Sequence, residues 1–144
     1  MPSAAFAAGC PPTRVLFVCP SGTVKSAIAR EVLRARVSAT GLPATVVSRG
    51  LKPEDHISPA LAANLRADHV DPSREPALTL TAADVAAADI VIAFDDAASS
   101  PLLRGARAWR TPSWNADYAA AKADLSTRLD ALTAELRRRA GACS

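Results

Sequence analysis

Val15-Leu16-Phe17-Val18 is an unbroken apolar run that ends on Cys19, and no other segment restricts the fold as much. A strand with one wet face alternates apolar and polar residues, whereas an unbroken run marks a strand buried on both faces, as in a parallel sheet. A loop runs from Cys19 to Lys25. Helical periodicity follows from Ser26 to about Val37, with Ile28, Val32 and Ala35 on one face and Arg30, Glu31 and Arg34 turned away from it. Gly41 and Pro43 punctuate the chain before a second strand, Ala44-Thr45-Val46-Val47. Ser58 opens a short helix from Pro59 to about Ala67, and Pro72 and Pro76 make the stretch from Val70 to Ala77 a loop. Thr81-Ala82-Ala83-Asp84 is an N-cap with an acidic third position, starting another short helix. Ile90-Val91-Ile92-Ala93-Phe94 is a third buried strand, and a short fourth runs from Ala106 to Trp109. The last helix carries Tyr118, Ala121, Leu125, Leu129, Leu132 and Leu136 at helical spacing.

Strand alternating with helix predicts an α/β fold, a single three-layer domain around a central four-stranded parallel sheet. Such sheets bind ligands beyond the carboxyl ends of their strands, near a topological switch point, and Cys19 closes the first strand at that edge. The chain has 144 residues, 49% of them hydrophobic, which suffices for one core; aromatics are only 4%, so alanine, valine and leucine must fill it. The expected layout is a flexible leader over 1–12, the domain over 13–140 and a tail over 141–144. The leader sequence Ala7-Ala8-Gly9-Cys10 loosely resembles a lipoprotein cleavage box but follows no basic region and only a short apolar stretch.

No apolar run approaches the ~18 residues of a membrane span, so no membrane partner is expected. The net charge of +3 is small, and Arg137-Arg138-Arg139 suits a solvated helix end better than a nucleic-acid surface. Cys10, Cys19 and Cys143 lack metal-ligand spacing, and their odd number fits a reducing cytoplasm. His56 and His69 have no partner in sequence and are expected on the surface. No cofactor and no metal are expected.

Chemistry is concentrated in Val18-Cys19-Pro20-Ser21-Gly22-Thr23-Val24-Lys25-Ser26. A loop between a strand end and a helix start can turn backbone N–H groups inward around an anion, helped by the positive end of the helix dipole. Gly22 supplies a left-handed conformation at low cost. A thiol in such a field becomes a nucleophilic thiolate more readily. Ser26 is placed to donate to the sulfur, and Lys25 to add positive charge beside an oxyanion. The alternative is structural: a cysteine that closes a buried strand is often a small core residue. The segment is no Walker loop, because it lacks the first glycine.

The stretch from Arg14 to Ala35, RVLFVCPSGTVKSAIAREVLRA, resembles the amino-terminal signature of the low-molecular-weight protein tyrosine phosphatases: a hydrophobic strand, a cysteine, five residues, an arginine, a serine and a helix. Val47-Ser48-Arg49-Gly50 resembles the family's Ser-Ala-Gly segment after the second strand. The stretch Ser73 to Thr81 followed by Ala88-Asp89-Ile90-Val91-Ile92 resembles its loop, short helix and third strand. The likeness extends from about Arg14 to Arg138. It implies Cys19 as nucleophile, Ser26 beside it, and a phosphate-binding loop of Pro20, Ser21, Gly22, Thr23, Val24 and Lys25, with Ser48 and Trp114 in support. Trp109, Trp114 and Tyr118 would then wall the substrate cleft, although core packing competes for Trp109.

Several positions depart from the family pattern. Its loop arginine is Lys25 here, a compact point charge in place of a planar fork of donors. Its loop asparagine is Gly22, and the histidine that supports it aligns with Glu75. Its acid, an aspartate before a proline, should fall near Thr111-Pro112-Ser113-Trp114, where no aspartate stands. Asp117 is the nearest carboxylate, a tentative acid whose competing role is a charge favoured at a helix N-terminus. The resemblance implies hydrolysis of phosphate monoesters, of the protein tyrosine phosphatase type, through a phosphocysteine, with weak or specialised activity. The partner would be a phosphate-containing substrate such as a phosphotyrosyl protein. A degenerate module that binds an anion or partner without turnover fits nearly as well. Arsenate reduction comes third, because its cysteine relay needs two further cysteines and none lies between Cys19 and Cys143.

Overall fold

The computed structural model describes residues 11–54 and 56–142. The leader expected over 1–12 falls mostly outside them, as do Cys10 and Cys143. The elements in chain order are β1 (Thr13–Cys19), α1 (Lys25–Thr40), β2 (Ala44–Gly50), α2 (Pro59–Ala67), α3 (Ala82–Ala87), β3 (Ile90–Phe94), β4 (Arg107–Trp109) and α4 (Tyr118–Ala142). Short 3₁₀ turns at Pro72–Arg74, Asp95–Ser99 and Pro101–Leu103 complete the framework; the sequence pattern did not reveal them, since three to five residues show no periodicity.

The four strands form one parallel sheet in the order β2-β1-β3-β4. β1 is central, which is why it has no polar residue after Arg14. Val15, Phe17 and Cys19 point into one core with α1, α2 and α4, through Ile28, Leu33, Leu61, Leu65, Leu129 and Leu132. Leu16 and Val18 point into a smaller core closed by Leu80, Ala97 and Leu103. The chain leaves β1 towards β2 on one side and returns to β3 on the other. The crevice between the carboxyl ends of β1 and β3 is therefore the switch point of the sheet.

Local chemistry explains the element ends. Gly41, at φ +68°, caps α1 through its N–H to the Val37 carbonyl. The Ser58 hydroxyl accepts from the Leu61 N–H at the start of α2. Thr81 and Asp84 form a reciprocal capping box on α3. Thr81→Ala removes one half of that box and is expected to lower unfolding free energy by about 1 kcal/mol, read by urea denaturation. β4 is anchored outside the sheet by the two-pronged Arg107–Glu135 pair at 2.7 and 2.8 Å, in which the guanidinium pulls the Glu135 carboxyl down to about 2. Among the described residues, no helix is long and apolar enough to cross a membrane.

One face of α1 departs from expectation. Helical periodicity turns Arg30 away from the apolar side, yet it is only 1% exposed. Each arm of its guanidinium has a partner: Nε donates to Glu31, Nη1 to the Ser48 hydroxyl at 2.9 Å and Nη2 to the Pro72 carbonyl at 2.9 Å. A buried guanidinium is tolerable when its donors are matched in this way. Pairing with acceptors from three segments, invisible to a helical wheel, draws it inside.

Candidate active site at the β1–α1 loop

Between Cys19 and Lys25 the loop takes its shape from backbone bonds. The carbonyls of Cys19, Pro20 and Ser21 accept from the N–H groups of Leu51, Lys52 and Glu54 at 3.3, 2.9 and 3.2 Å. All the described peptide bonds are trans, and a trans peptide carries its C=O and N–H on opposite sides. With the Pro20 and Ser21 carbonyls tied outward, the N–H groups of Ser21 and Gly22 turn the other way. That of Gly22 reaches the Cys19 sulfur at 3.2 Å.

Gly22 has φ +72°, and its Cα packs on Gly50 at the end of β2. A Cβ on Gly22 would stand 2.9 Å from the Gly50 Cα, and one on Gly50 would stand 2.8 Å from the Gly22 nitrogen, so both positions need glycine. Gly50 cannot retreat easily, because its N–H donates to the Leu78 carbonyl and its carbonyl accepts from the Leu80 N–H.

Cys19 is 2% exposed at the base of this loop. Its sulfur lies 2.9 Å from the Ser26 hydroxyl, which also lies 3.5 Å from the Arg49 carbonyl. This hydroxyl suits either state of the sulfur. It can accept from a thiol while donating to the carbonyl, or donate to a thiolate. The first intrahelical bond of α1 runs from the Ile28 N–H to the Val24 carbonyl, and no side chain caps the helix. Its first N–H groups and dipole therefore face the loop, a favourable place for negative charge.

Lys25 is engaged by groups outside the loop. Its ammonium donates to the Asp95 carboxylate and to the Thr111 carbonyl, the latter at 2.8 Å. Asp95 Oδ1 in turn accepts from the Thr111 N–H at 3.0 Å. Asp95 has φ +51°, and the Thr111 hydroxyl beside it is buried without a hydrogen-bond partner. Sequence reasoning did not single out Asp95. The available signal was its place directly after the third strand, at the sheet edge where ligands bind.

A family model described as low molecular weight phosphotyrosine protein phosphatase matches residues 14–125. The chain belongs to that family. No curated protein matches it by sequence. Solved structures share the fold. The YfkJ protein of Bacillus subtilis superposes with a TM-score of 0.73 at 17% identity, over 91% of this chain and 98% of that one. The low molecular weight protein tyrosine phosphatase SP-PTP of Streptococcus pyogenes gives 0.69 at 18% identity, over 86% and 93%. A thioredoxin-dependent arsenate reductase of Corynebacterium glutamicum gives 0.71 at 22% identity, over 90% of this chain and 64% of that one.

In this member of the family the structure brings Cys19, Gly22 and Ser26 together, with Pro20, Ser21, Thr23 and Val24 in the same loop, and gives Lys25, Ser48, Asp117 and Trp114 other partners. Ser48 is buried, and its hydroxyl receives Arg30; Gly22 offers it no side chain. Glu75 pairs with Arg34, whose guanidinium holds the carboxyl below its usual range. Asp117 is exposed and caps α4, its Oδ1 accepting from the Ala120 N–H at 3.0 Å, which is the competing role set out for it above.

Trp114 is not an open cleft wall. It is 7% exposed in the larger core and meets Tyr118 edge-on at 5.4 Å. The pair closes a hollow of about 230 Å³ with Ile28, Val32, Leu65 and Val70, and no residue of the Cys19–Lys25 loop lines it. The Tyr118 hydroxyl is tied to Asp68, and burial together with that carboxylate raises its ionisation well above the usual phenol range. Trp109 packs on Phe94 at 5.6 Å and on Phe17 at 6.0 Å, with the Arg128 guanidinium over its ring at 5.4 Å. His56 and His69 are exposed.

Proposed function

We propose that the chain is a cysteine-dependent phosphatase that cleaves phosphate monoesters slowly, through a phosphocysteine on Cys19. The observation that carries this reading is the Cys19 sulfur under a loop of outward-bound carbonyls, with the Gly22 N–H at 3.2 Å and the Ser26 hydroxyl at 2.9 Å. The thiolate attacks phosphorus, the S–P bond forms as the P–O bond to the leaving group breaks, and the leaving oxygen takes a proton from solvent or from an acid. Water then attacks the phosphocysteine, releasing phosphate and returning the thiolate. Loop N–H groups carry the charge on the transferring phosphoryl oxygens. The substrate class is a phosphate monoester, a phosphotyrosyl protein being the family's type.

Slowness has a physical basis. No aspartate stands near Thr111-Pro112-Ser113-Trp114, where the family resemblance expects the acid, Asp117 is engaged at the start of α4, and Asp95 is paired with Lys25. A good leaving group tolerates the lack of an acid, and a poor one does not. Nitrophenyl phosphate is therefore expected to be turned over at least about 10²-fold faster than glycerol phosphate. Equal rates on the two would mean that another residue supplies the proton. The second reading, an oxyanion-binding module without turnover, is favoured by the capture of Lys25. Phosphate binding with no hydrolysis of either ester would establish it.

A further inference from the structure

Resting on the reading of the Cys19–Ser26 loop as an oxyanion cradle, we propose that Asp95 sets the charge the cradle accepts. By cancelling Lys25 it makes the loop select singly charged oxyanionic groups over doubly charged ones. Three observations meet here. In the β1–β3 register Val18 lies beside Ala93, so Asp95 stands one residue beyond the level of Cys19, just past the end of the adjacent strand at the mouth of the switch-point crevice. Its carboxylate holds the ammonium of Lys25, the cation nearest the loop in sequence, and the Thr111 carbonyl satisfies a second ammonium donor. The pair is largely shielded, with side-chain exposures of 18% for Lys25 and 28% for Asp95, so solvent screens it less than a surface pair.

An entering anion therefore meets a neutral ion pair in place of a free ammonium. What attracts it is the backbone, through N–H dipoles and the start of α1. The carboxylate repels it in proportion to its charge, because a Coulomb energy is linear in each charge. The pull of the dipoles and the push of Asp95 are both linear in the ligand's charge, whereas the cost of desolvating the ligand rises as its square. With the ammonium cancelled, a second negative charge therefore costs more than it regains. This acts on substrate binding and is separate from the missing acid, which acts on the leaving group.

The test uses tetrahedral oxyanions of fixed charge, perchlorate (−1) and sulfate (−2), titrated by NMR of the loop amides at constant ionic strength. Asp95→Asn is a close substitute. Asn tolerates a positive φ and keeps an oxygen for the Thr111 N–H, so only the charge is lost. Expected is a gain of about tenfold in perchlorate affinity and about a hundredfold in sulfate affinity, the logarithm doubling with ligand charge. Asp95→Gly, whose backbone also accepts positive φ, should give the same ratio if the Asn variant folds poorly. Lys25→Met combined with Asp95→Asn restores a neutral pair and should return both affinities to within about threefold of wild type. Sulfate binding that is unchanged or weaker in Asp95→Asn, with wild type binding both ions, overturns the role of Asp95 alone and would mean that it positions Lys25 for the anion. Loop amides that respond to neither ion in any variant overturn both this inference and the cradle itself.

Discussion

Cys19→Ser is expected to bring hydrolysis of nitrophenyl phosphate down to the buffer rate, a loss on the order of 10⁴-fold or more if wild-type turnover is robust enough to measure it. The serine would keep its place above β1, within reach of Ser26 and the Gly22 N–H. It would lack a proton acceptor to activate it: His56 and His69 are exposed, and neither shares a hydrogen bond with the loop among those described. Fold and anion binding should survive, so amide shifts on adding phosphate would separate loss of chemistry from loss of structure. Equal rates for the two proteins, purified identically, would assign the activity to another group and end the cysteine mechanism.

Gly50→Ala should also lower activity strongly, although it lies outside the loop. The added methyl would stand 2.8 Å from both the Gly22 nitrogen and the Ser21 carbonyl carbon, backbone atoms with little freedom to yield. Overpacking of this kind costs about 1–3 kcal/mol. The strain is expected to open the cradle, and a shift of ~1 Å at a reacting centre can cost about 10²-fold in rate. The measurement is kcat/KM on nitrophenyl phosphate beside urea unfolding. Gly105→Ala, where the new methyl has no neighbour within 4 Å, serves as the matched control. Wild-type activity in Gly50→Ala would show that the two glycines do not govern the cradle.

Much of the architecture is legible from burial patterns. The unbroken β1 run announces a strand with cover on both sides, and Leu125, Leu129, Leu132 and Leu136 announce the buried stripe of α4, because both signals are local. The Thr81–Asp84 box is a four-residue statement and reads directly. Arg30 could not be read in this way. Its burial depends on Ser48 and the Pro72 carbonyl, 18 and 42 residues away, which cancel a cost that sequence periodicity counts as prohibitive. Asp95 is hidden for a related reason, since Lys25 lies 70 residues before it and only the order β1-β3 makes them neighbours. Trp114 looks like a loop residue by its flanking Pro112 and Ser113, and only the meeting of α1, α2 and α4 draws it inside.

The outward carbonyls of the loop separate two things that are joined in many sites. Cys19, Pro20 and Ser21 are held by main-chain bonds to residues 51–54, and Gly22 by contact with Gly50, so much of the curve of the cradle is set by main chain and not by the side chains that line it. A scaffold of that kind can change its reactive groups without changing its form. It offers a physical route by which lysine can stand where the family pattern described above has arginine, and glycine where it has asparagine, with the thiol still seated at the centre. Positions 22 and 50 stay closed to anything larger than hydrogen, while Ser21 and Thr23 add a side-chain brace to the same curve, their hydroxyls 2.9 Å apart and the Thr23 N–H donating to the Ser21 Oγ at 3.3 Å.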